Sequence, residues 1–240
     1  MTLDEILASM FPAGHDVSNA AGTLRGTATL PSGERVLVVG IADRTSLGID
    51  EAAILSRHIL DHFETTTGPI FVIVDSDSQR MSKRDELLGL NEFLSHLAKC
   101  LLYADMSGRP TIGLLYGHAA AGAFLATALA TRVLVALPQA DPAVMDLPSM
   151  SRVTKLPVAV LEDMARSTPV FAPGLGNLAR TGAVERIWDA DMPLSRQLEA
   201  LLAGMPGAGD VRDVLGRDRG GRLKAAAIAG RVRDLALRAE

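Results

Sequence analysis

The stretch Arg109–Arg132, RPTIGLLYGHAAAGAFLATALATR, decides the fold. Arg109-Pro110 opens it, and Thr111-Ile112-Gly113-Leu114-Leu115 is an apolar run that predicts a buried strand. The run breaks at Tyr116-Gly117-His118. The small residues Ala119 to Ala123 then lead into the helix former Phe124 to Ala130. A strand turning sharply into a helix leaves the first backbone N–H groups of that helix without partners in the helix itself. Alanine and glycine at such a turn let another group come close to those donors. The sequence therefore predicts a backbone anion or oxyanion site at this turn. Thr111 to Thr131 carries no Asp, Glu, Lys or Arg and is long enough to cross a bilayer. The glycines in its middle, and the second strand Val133 to Leu137 directly after it, favour strand-turn-helix over a membrane span.

Outward from this stretch the order is strand, helix, strand. Thr27–Leu30 and Arg35–Ile41 flank the turn Pro31-Ser32-Gly33-Glu34 and predict a hairpin. Asp43 to Gly48 reads as a polar loop, and residues 13–25 as another. Ile49–Thr65 is an amphipathic helix whose apolar face comprises Ile49, Ala52, Ala53, Leu55, Ile59, Leu60 and Phe63. Ile70–Val74 is apolar without alternation, which suits a parallel strand covered on both faces. It ends in Asp75-Ser76-Asp77-Ser78, at the strand edge where open α/β sheets hold ligands. One long helix is expected over Arg84–Met106, with Leu87, Leu88, Leu90, Phe93, Leu94, Leu97, Leu101 and Leu102 turned inward. The alternation of strands and helices predicts an α/β protein with right-handed crossovers.

Beyond Leu137 the chain is less regular. Met145–Pro157 holds two prolines and cannot be one long element. Val158–Arg166 reads as a helix, Thr168–Pro173 as a proline-broken segment and Asn177–Thr181 as a helical turn. Glu185–Trp188 reads as a last short strand and Leu194–Ala203 as a helix. Gly204–Gly209 resembles a linker before an Ala- and Arg-rich helix over Arg222–Arg238.

Composition excludes several function classes. The chain has 240 residues, 48% of them hydrophobic and only 4% aromatic, so its core must be aliphatic. A net charge of −4 without a basic run argues against nucleic acid as partner. Cys100 is the only cysteine, which excludes an internal disulfide and argues against a thiolate metal cluster. His58 and His62 lie four apart, but no carboxylate or cysteine completes a metal set. The acidic N-terminus, MTLDEILASMFPAGHD, does not read as a secretory signal, and a cytoplasmic location is expected. Nucleotide-binding glycine motifs are missing at the strand ends, and the elbow carries no Gly-x-Ser-x-Gly nucleophile.

Three segments together resemble the crotonase-type fold of enoyl-CoA hydratases and acyl-CoA carboxyltransferases. They are the strand ending in Asp75-Ser76-Asp77-Ser78, the Tyr116–Ala123 elbow, and Gly182-Ala183-Val184-Glu185-Arg186-Ile187. Within that fold, Met145–Lys155 (MDLPSMSRVTK from Met145) is similar to the gamma subunit of biotin-independent malonate decarboxylase. The fold so implied is an α/β crotonase-like superhelix of β-β-α units. It would form a single domain over residues 1–240, with an N-terminal extension over 1–25 and a helical tail over 205–240.

The resemblance also implies a chemistry. Two backbone N–H groups would hold a thioester carbonyl, one at Gly122, adjoined by Ala121 and Ala123, the other among Ser76, Asp77 and Ser78. With a beta subunit, such a chain would decarboxylate a malonyl group carried on the phosphopantetheine-type, dephospho-CoA-derived arm of an acyl carrier protein. No cofactor bound by this chain, no metal and no membrane would be needed. Gly117 and Arg152 are expected to contact substrate. His118 is placed to protonate the enolate, to hold the carboxylate, or to serve as a hydrogen-bonded structural histidine. Leu125 stands where a hydratase glutamate would follow the glycines, so hydration of a double bond is not expected. Two other readings stay open: a subunit of a biotin-dependent acyl-CoA carboxyltransferase, and a structural subunit without catalytic donors.

Overall fold

The computed structural model describes residues 1–169, 172–207 and 209–238. Residues 170 and 171 of the proline segment, Ala208 and the last two residues of the C-terminal tail lie outside the described residues. Nine strands form two sheets among the described residues. They are β1 (Ser18–Ala20), β2 (Thr23–Thr29), β3 (Arg35–Leu47), β4 (Ile70–Gln79), β5 (Thr111–Leu115), β6 (His118–Ala120), β7 (Val133–Ala136), β8 (Asp141–Ala143) and β9 (Arg186–Ile187). The main sheet runs β1-β2-β3-β4-β5-β7-β9, and β6 pairs with β8 in a small second sheet. Strands β1 to β3 are antiparallel; β3, β4, β5, β7 and β9 are parallel. Helices α1 (Leu3–Met10), α2 (Ile49–Asp61), α3 (Lys83–Leu87), α4 (Leu90–Met106) and α5 (Ala121–Ala126) occupy the first half. Helices α6 (Leu147–Thr154), α7 (Val158–Ser167), α8 (Leu175–Arg180), α9 (Leu194–Ala203), α10 (Arg212–Asp218) and α11 (Ala225–Arg238) follow.

The unbroken apolar runs have their expected cause. Successive side chains of a strand point to opposite faces, and both faces of this sheet are covered. Leu37, Val39, Ile41, Val72 and Val74 pack with Ile49, Leu55 and Ile59 of α2 and Leu94, Leu97 and Leu101 of α4. Val36, Val38, Phe71, Ile73, Leu114 and Val135 pack with Ile6 and Met10 of α1, Leu194, Leu198 and Leu201 of α9, and Trp188. Residues 1–25 are thus part of the body: α1, with its Thr2–Glu5 capping box, closes the second layer. At about 25 cal/mol per Å² of apolar surface, these two layers supply the main stabilisation of the fold.

Several expectations need correction. Asp43 to Leu47 is not a loop: it continues β3, with Asp43 and Arg44 at positive φ marking an irregular register against β4. Asp75 to Ser78 likewise lie inside β4, which runs five residues beyond Val74, because the prolonged β3 gives them a partner. Residues 13–25 contain β1 and the start of β2. The long helix is two helices, because Gly89 adopts φ +87 between α3 and α4; only glycine takes that conformation readily. Leu87 and Leu88 are consequently exposed; Leu102, on the outer face of α4, and Leu60, at the end of α2, are exposed as well. His118 to Ala120 form β6 instead of a bare turn.

Residues 145–157 contain α6, eight residues long, started by Asp146 accepting from the Ser149 N–H and with Pro148 in its first turn. Cys100 is buried in the first layer, and burial pushes its thiol pKa up.

Candidate active site

The carboxyl ends of β3 and β4 and the elbow after β5 meet at one place. Arg109 pins the base of the stretch: its buried guanidinium donates to the carbonyls of Gly68 (3.1 Å) and Phe63 (2.8 Å) and to Thr66 Oγ1 (2.7 Å). Burial lowers its pKa, yet an arginine stays charged far above neutral pH. At the other end of β5, Asp75 of β4 clamps the elbow. Its Oδ1 accepts the His118 N–H at 2.9 Å, and its Oδ2 accepts the Arg44 N–H at 3.3 Å. A Cβ on Gly117 would overlap this carboxylate, so glycine is required there by close approach. Beside it the Tyr116 hydroxyl is held well above its ordinary pKa, first by burial and then by the charges of Asp75 and Asp43.

The predicted donor at Gly122 occupies the first turn of α5, with Ala120 extended before it and Ala121 at φ +48. Its N–H donates to Gln79 Oε1 at 2.9 Å. Gln79 is the last residue of β4, so the amide links the two strand ends that sequence reasoning put forward separately. Ala123 is fully buried and Ala121 partly so, which leaves Gly122 as the backbone beside Gln79 and Leu94. Ser76, paired in register with Thr45, is fully buried, and its Oγ has no hydrogen-bond partner. Ser78 Oγ donates to the Gln79 carbonyl, and Asp77 lies near Ser46 (3.5 Å between Oδ2 and Oγ).

The structure sorts the remaining sequence candidates. His118 sits at the elbow, its Nδ1 facing Asp141 Oδ2 of β8 at 3.3 Å. An Nδ1–H donated to that carboxylate makes Nε2 the nitrogen that exchanges protons. Gly117 contributes its carbonyl to the Asp141 N–H and packs on Asp75, a positioning role. Arg152 is exposed on α6 and donates to Ser149 Oγ at 2.7 Å. Leu125 is half exposed.

Sequence reasoning missed Gln79 and the ion-pair cluster that fixes the chain just after it. Arg80 pairs with Glu51, and Arg84 with Asp50 at 2.8 Å. Asp85, almost wholly buried, approaches both arginines. Arg84 keeps the Asp50 carboxyl below its ordinary pKa. The Asp50-Glu51 pair and the Arg80…Arg84-Asp85 spacing were visible, but nothing local says that they face each other. Among the described residues, no group of three or more His, Cys, Asp or Glu is arranged to hold a metal ion. Among the same residues, no helix is long and apolar enough to cross a membrane.

Residues 42–236 match the sequence model of the family described as MdcE, malonate decarboxylase gamma subunit. The chain belongs to that family. A relative from Malonomonas rubra, the malonyl-S-ACP:biotin-protein carboxyltransferase MADD, is 33% identical over 172 residues. The match takes in 66% of this chain and 59% of that protein, so the chain spans less than two thirds of the relative's length. The gamma-subunit fold is similar to a chain of a Pseudomonas malonate decarboxylase hetero-tetramer in complex with coenzyme A. That match has a TM-score of 0.77 and 25% identity, covering 98% of both chains. The transcarboxylase 12S core, with methylmalonyl-coenzyme A and methylmalonic acid bound, shares the fold at a TM-score of 0.69 and 18% identity. It covers 85% of this chain and 41% of that one. The expected crotonase-like α/β architecture is therefore the architecture of this family member.

Proposed function

We propose that this chain is the catalytic gamma subunit of a cytoplasmic malonate decarboxylase. Together with a beta subunit it converts malonyl-S-acyl carrier protein into the acetyl form and CO2. The observation that carries this reading is the Gly122 N–H at the meeting of β4 and α5, which already holds a carbonyl oxygen, that of Gln79. Loss of CO2 from a malonyl thioester leaves the electron pair on the α-carbon, delocalised onto the thioester oxygen as an enolate. A fixed backbone donor at that oxygen binds the enolate more strongly than the neutral carbonyl, which lowers the barrier. One such donor contributes about 3 kcal/mol.

The second donor of this reading comes from the backbone of Ser76 to Ser78, and Ala121 and Ala123 shape the approach. His118, oriented by Asp141, is the candidate that returns a proton to the α-carbon. Arg152, exposed in the last turn of α6, is a candidate contact for the phosphate of the carrier's prosthetic arm. That arm, of the dephospho-CoA-derived type, brings the substrate, and this chain supplies no cofactor of its own.

The test is a Gly122→Leu variant assayed with the beta subunit on malonyl-carrier protein. The added side chain crowds Gln79 and Leu94, whose atoms lie 3.2 and 3.3 Å from a Cβ at that position. The complex is expected to assemble and to lose decarboxylation by about 100-fold or more; retained activity sinks the catalytic role and leaves a structural subunit. The carboxyltransferase relative supports a second reading, transfer of the carboxyl group to biotin. Avidin separates the two: inhibition of the complex by avidin would establish the biotin route.

A further inference from the structure

Among the described residues, Gln79 is the side chain that bonds the Gly122 donor, and neither the family reading nor the sequence assigned it a role. Its Oε1 accepts from Gly122 N–H at 2.9 Å, while its Nε2 has only the weak acceptor Met81 Sδ, at 3.8 Å. The amide is partly exposed at the end of β4, and its neighbour Met81 is largely exposed, so the side chain has room to leave. The chain on either side of it does not: Arg80 N–H donates to the Leu47 carbonyl at 2.8 Å, and the Arg80–Glu51 pair holds the next residue. A mobile amide on an anchored backbone is therefore poised over the donor. Its carbonyl oxygen has the same acceptor chemistry as a thioester oxygen, and the two cannot share the one N–H.

We propose that Gln79 is an internal ligand of the oxyanion donor, exchanged for the carbonyl oxygen of the incoming thioester, and that this exchange sets substrate affinity. The inference rests on the reading of Gly122 as the oxyanion donor. Gln79 is a positioning residue: it keeps the Gly122 N–H satisfied and aimed while the site is empty and touches no reacting atom. No bond is made or broken in the exchange; one N–H···O=C contact replaces another. Apparent affinity is then reduced by the fraction of sites in which Gln79 has let go. The same displacement precedes binding of the carbonyl and of the enolate oxygen, so its cost falls on both alike and enters KM rather than kcat.

The experiment compares wild type, Gln79→Ala and Gln79→Glu in the assembled complex with the beta subunit. Amide hydrogen exchange at Gly122 is read without substrate, and KM and kcat are read on malonyl-carrier protein. Gln79→Ala is expected to speed Gly122 exchange and to lower KM about threefold to tenfold, the worth of one hydrogen bond, with kcat within about twofold. Gln79→Glu, a charged acceptor, is expected to slow that exchange and raise KM, which carries the test if the alanine variant does not fold. Unchanged Gly122 exchange in Gln79→Ala overturns the internal bond. Faster exchange with an unchanged or raised KM overturns the competition and leaves Gln79 a helix cap. A wild-type complex that does not act on malonyl thioesters sinks the functional reading instead, while the exchange measurement still reports on the bond itself.

Discussion

The Asp75 carboxylate sits so close to the Gly117 Cα that no side chain fits between them. The same carboxylate accepts the backbone N–H groups of His118 and Arg44, tying the β5–β6 elbow to the irregular end of β3. Gly117→Ala is therefore expected to destabilise the chain by about 2–3 kcal/mol, the usual cost of overpacking an interior contact. Urea unfolding measures it. In an Asp75→Gly background the same substitution should cost less than about 1 kcal/mol, because the carboxylate and the Cβ that overlap it are both gone. Equal costs in both backgrounds would show that the carboxylate is not what restricts Gly117.

Ala121 adopts φ +48 at the foot of α5. For a residue with a Cβ, that conformation costs about 1–2 kcal/mol over glycine. Glycine in turn loses about 0.5–1 kcal/mol through its greater freedom in the unfolded chain. Ala121→Gly should thus raise stability by about 0.5–1 kcal/mol, read from the urea midpoint at unchanged m-value. A loss of stability would mean that the Ala121 methyl contributes packing that outweighs the strain.

His58 is half buried, its Nε2 lies within the protein without a hydrogen-bond partner among the described residues, and its ring lies tilted against that of His62 with centroids 4.2 Å apart. Burial, then the neighbouring His62 and Arg25 charges, hold its pKa below the ordinary histidine value of 6.5. The unfolded chain therefore takes up the proton first. The stabilisation is complete above pH 6.5 and is lost as pH falls from there through the folded-state value. Unfolding free energy should decline on acidification in this window, and His58→Leu should flatten the decline. A His58→Leu profile that superimposes on wild type would remove His58 as the source.

Helix α11 buries none of its residues, and Ile228, Val232 and Leu235 make an exposed stripe at helical spacing. A helix of this length is marginal in water without a packed face, and the Pseudomonas chain of similar fold is part of a hetero-tetramer. Ile228→Asp with Val232→Asp should leave the chain's own unfolding midpoint nearly unchanged, as surface changes do. The same pair should abolish co-elution with the beta subunit in size-exclusion chromatography. Undisturbed co-elution would place the subunit contact elsewhere.

Much of the main sheet was legible because its information is local. The apolar runs of β3, β4, β5 and β7 have the lengths of strands covered on both faces, and the glycines and alanines after β5 announce an elbow whatever surrounds it. Leu87 and Leu88 show the limit of that reading: they continue an apolar helical pattern, but Gly89 breaks the helix and leaves them in solvent. Asp75 to Ser78 show it again, since whether they end a strand or extend it depends on the reach of β3.

By itself, then, the sequence determined the α/β class, the strand–elbow–helix around Gly122 and the lack of a side-chain nucleophile there. Periodicity, glycine placement and residue chemistry act over a few neighbours and can be read without the fold. Only the tertiary structure decided what faces Gly122. Gln79 and Gly122 are 43 residues apart, as are Asp75 and His118, while Arg80 and Glu51 are 29 apart. Such pairs are created when parallel strands align their carboxyl ends. That alignment is set by the packing of helices on both faces of the sheet, which no local pattern records.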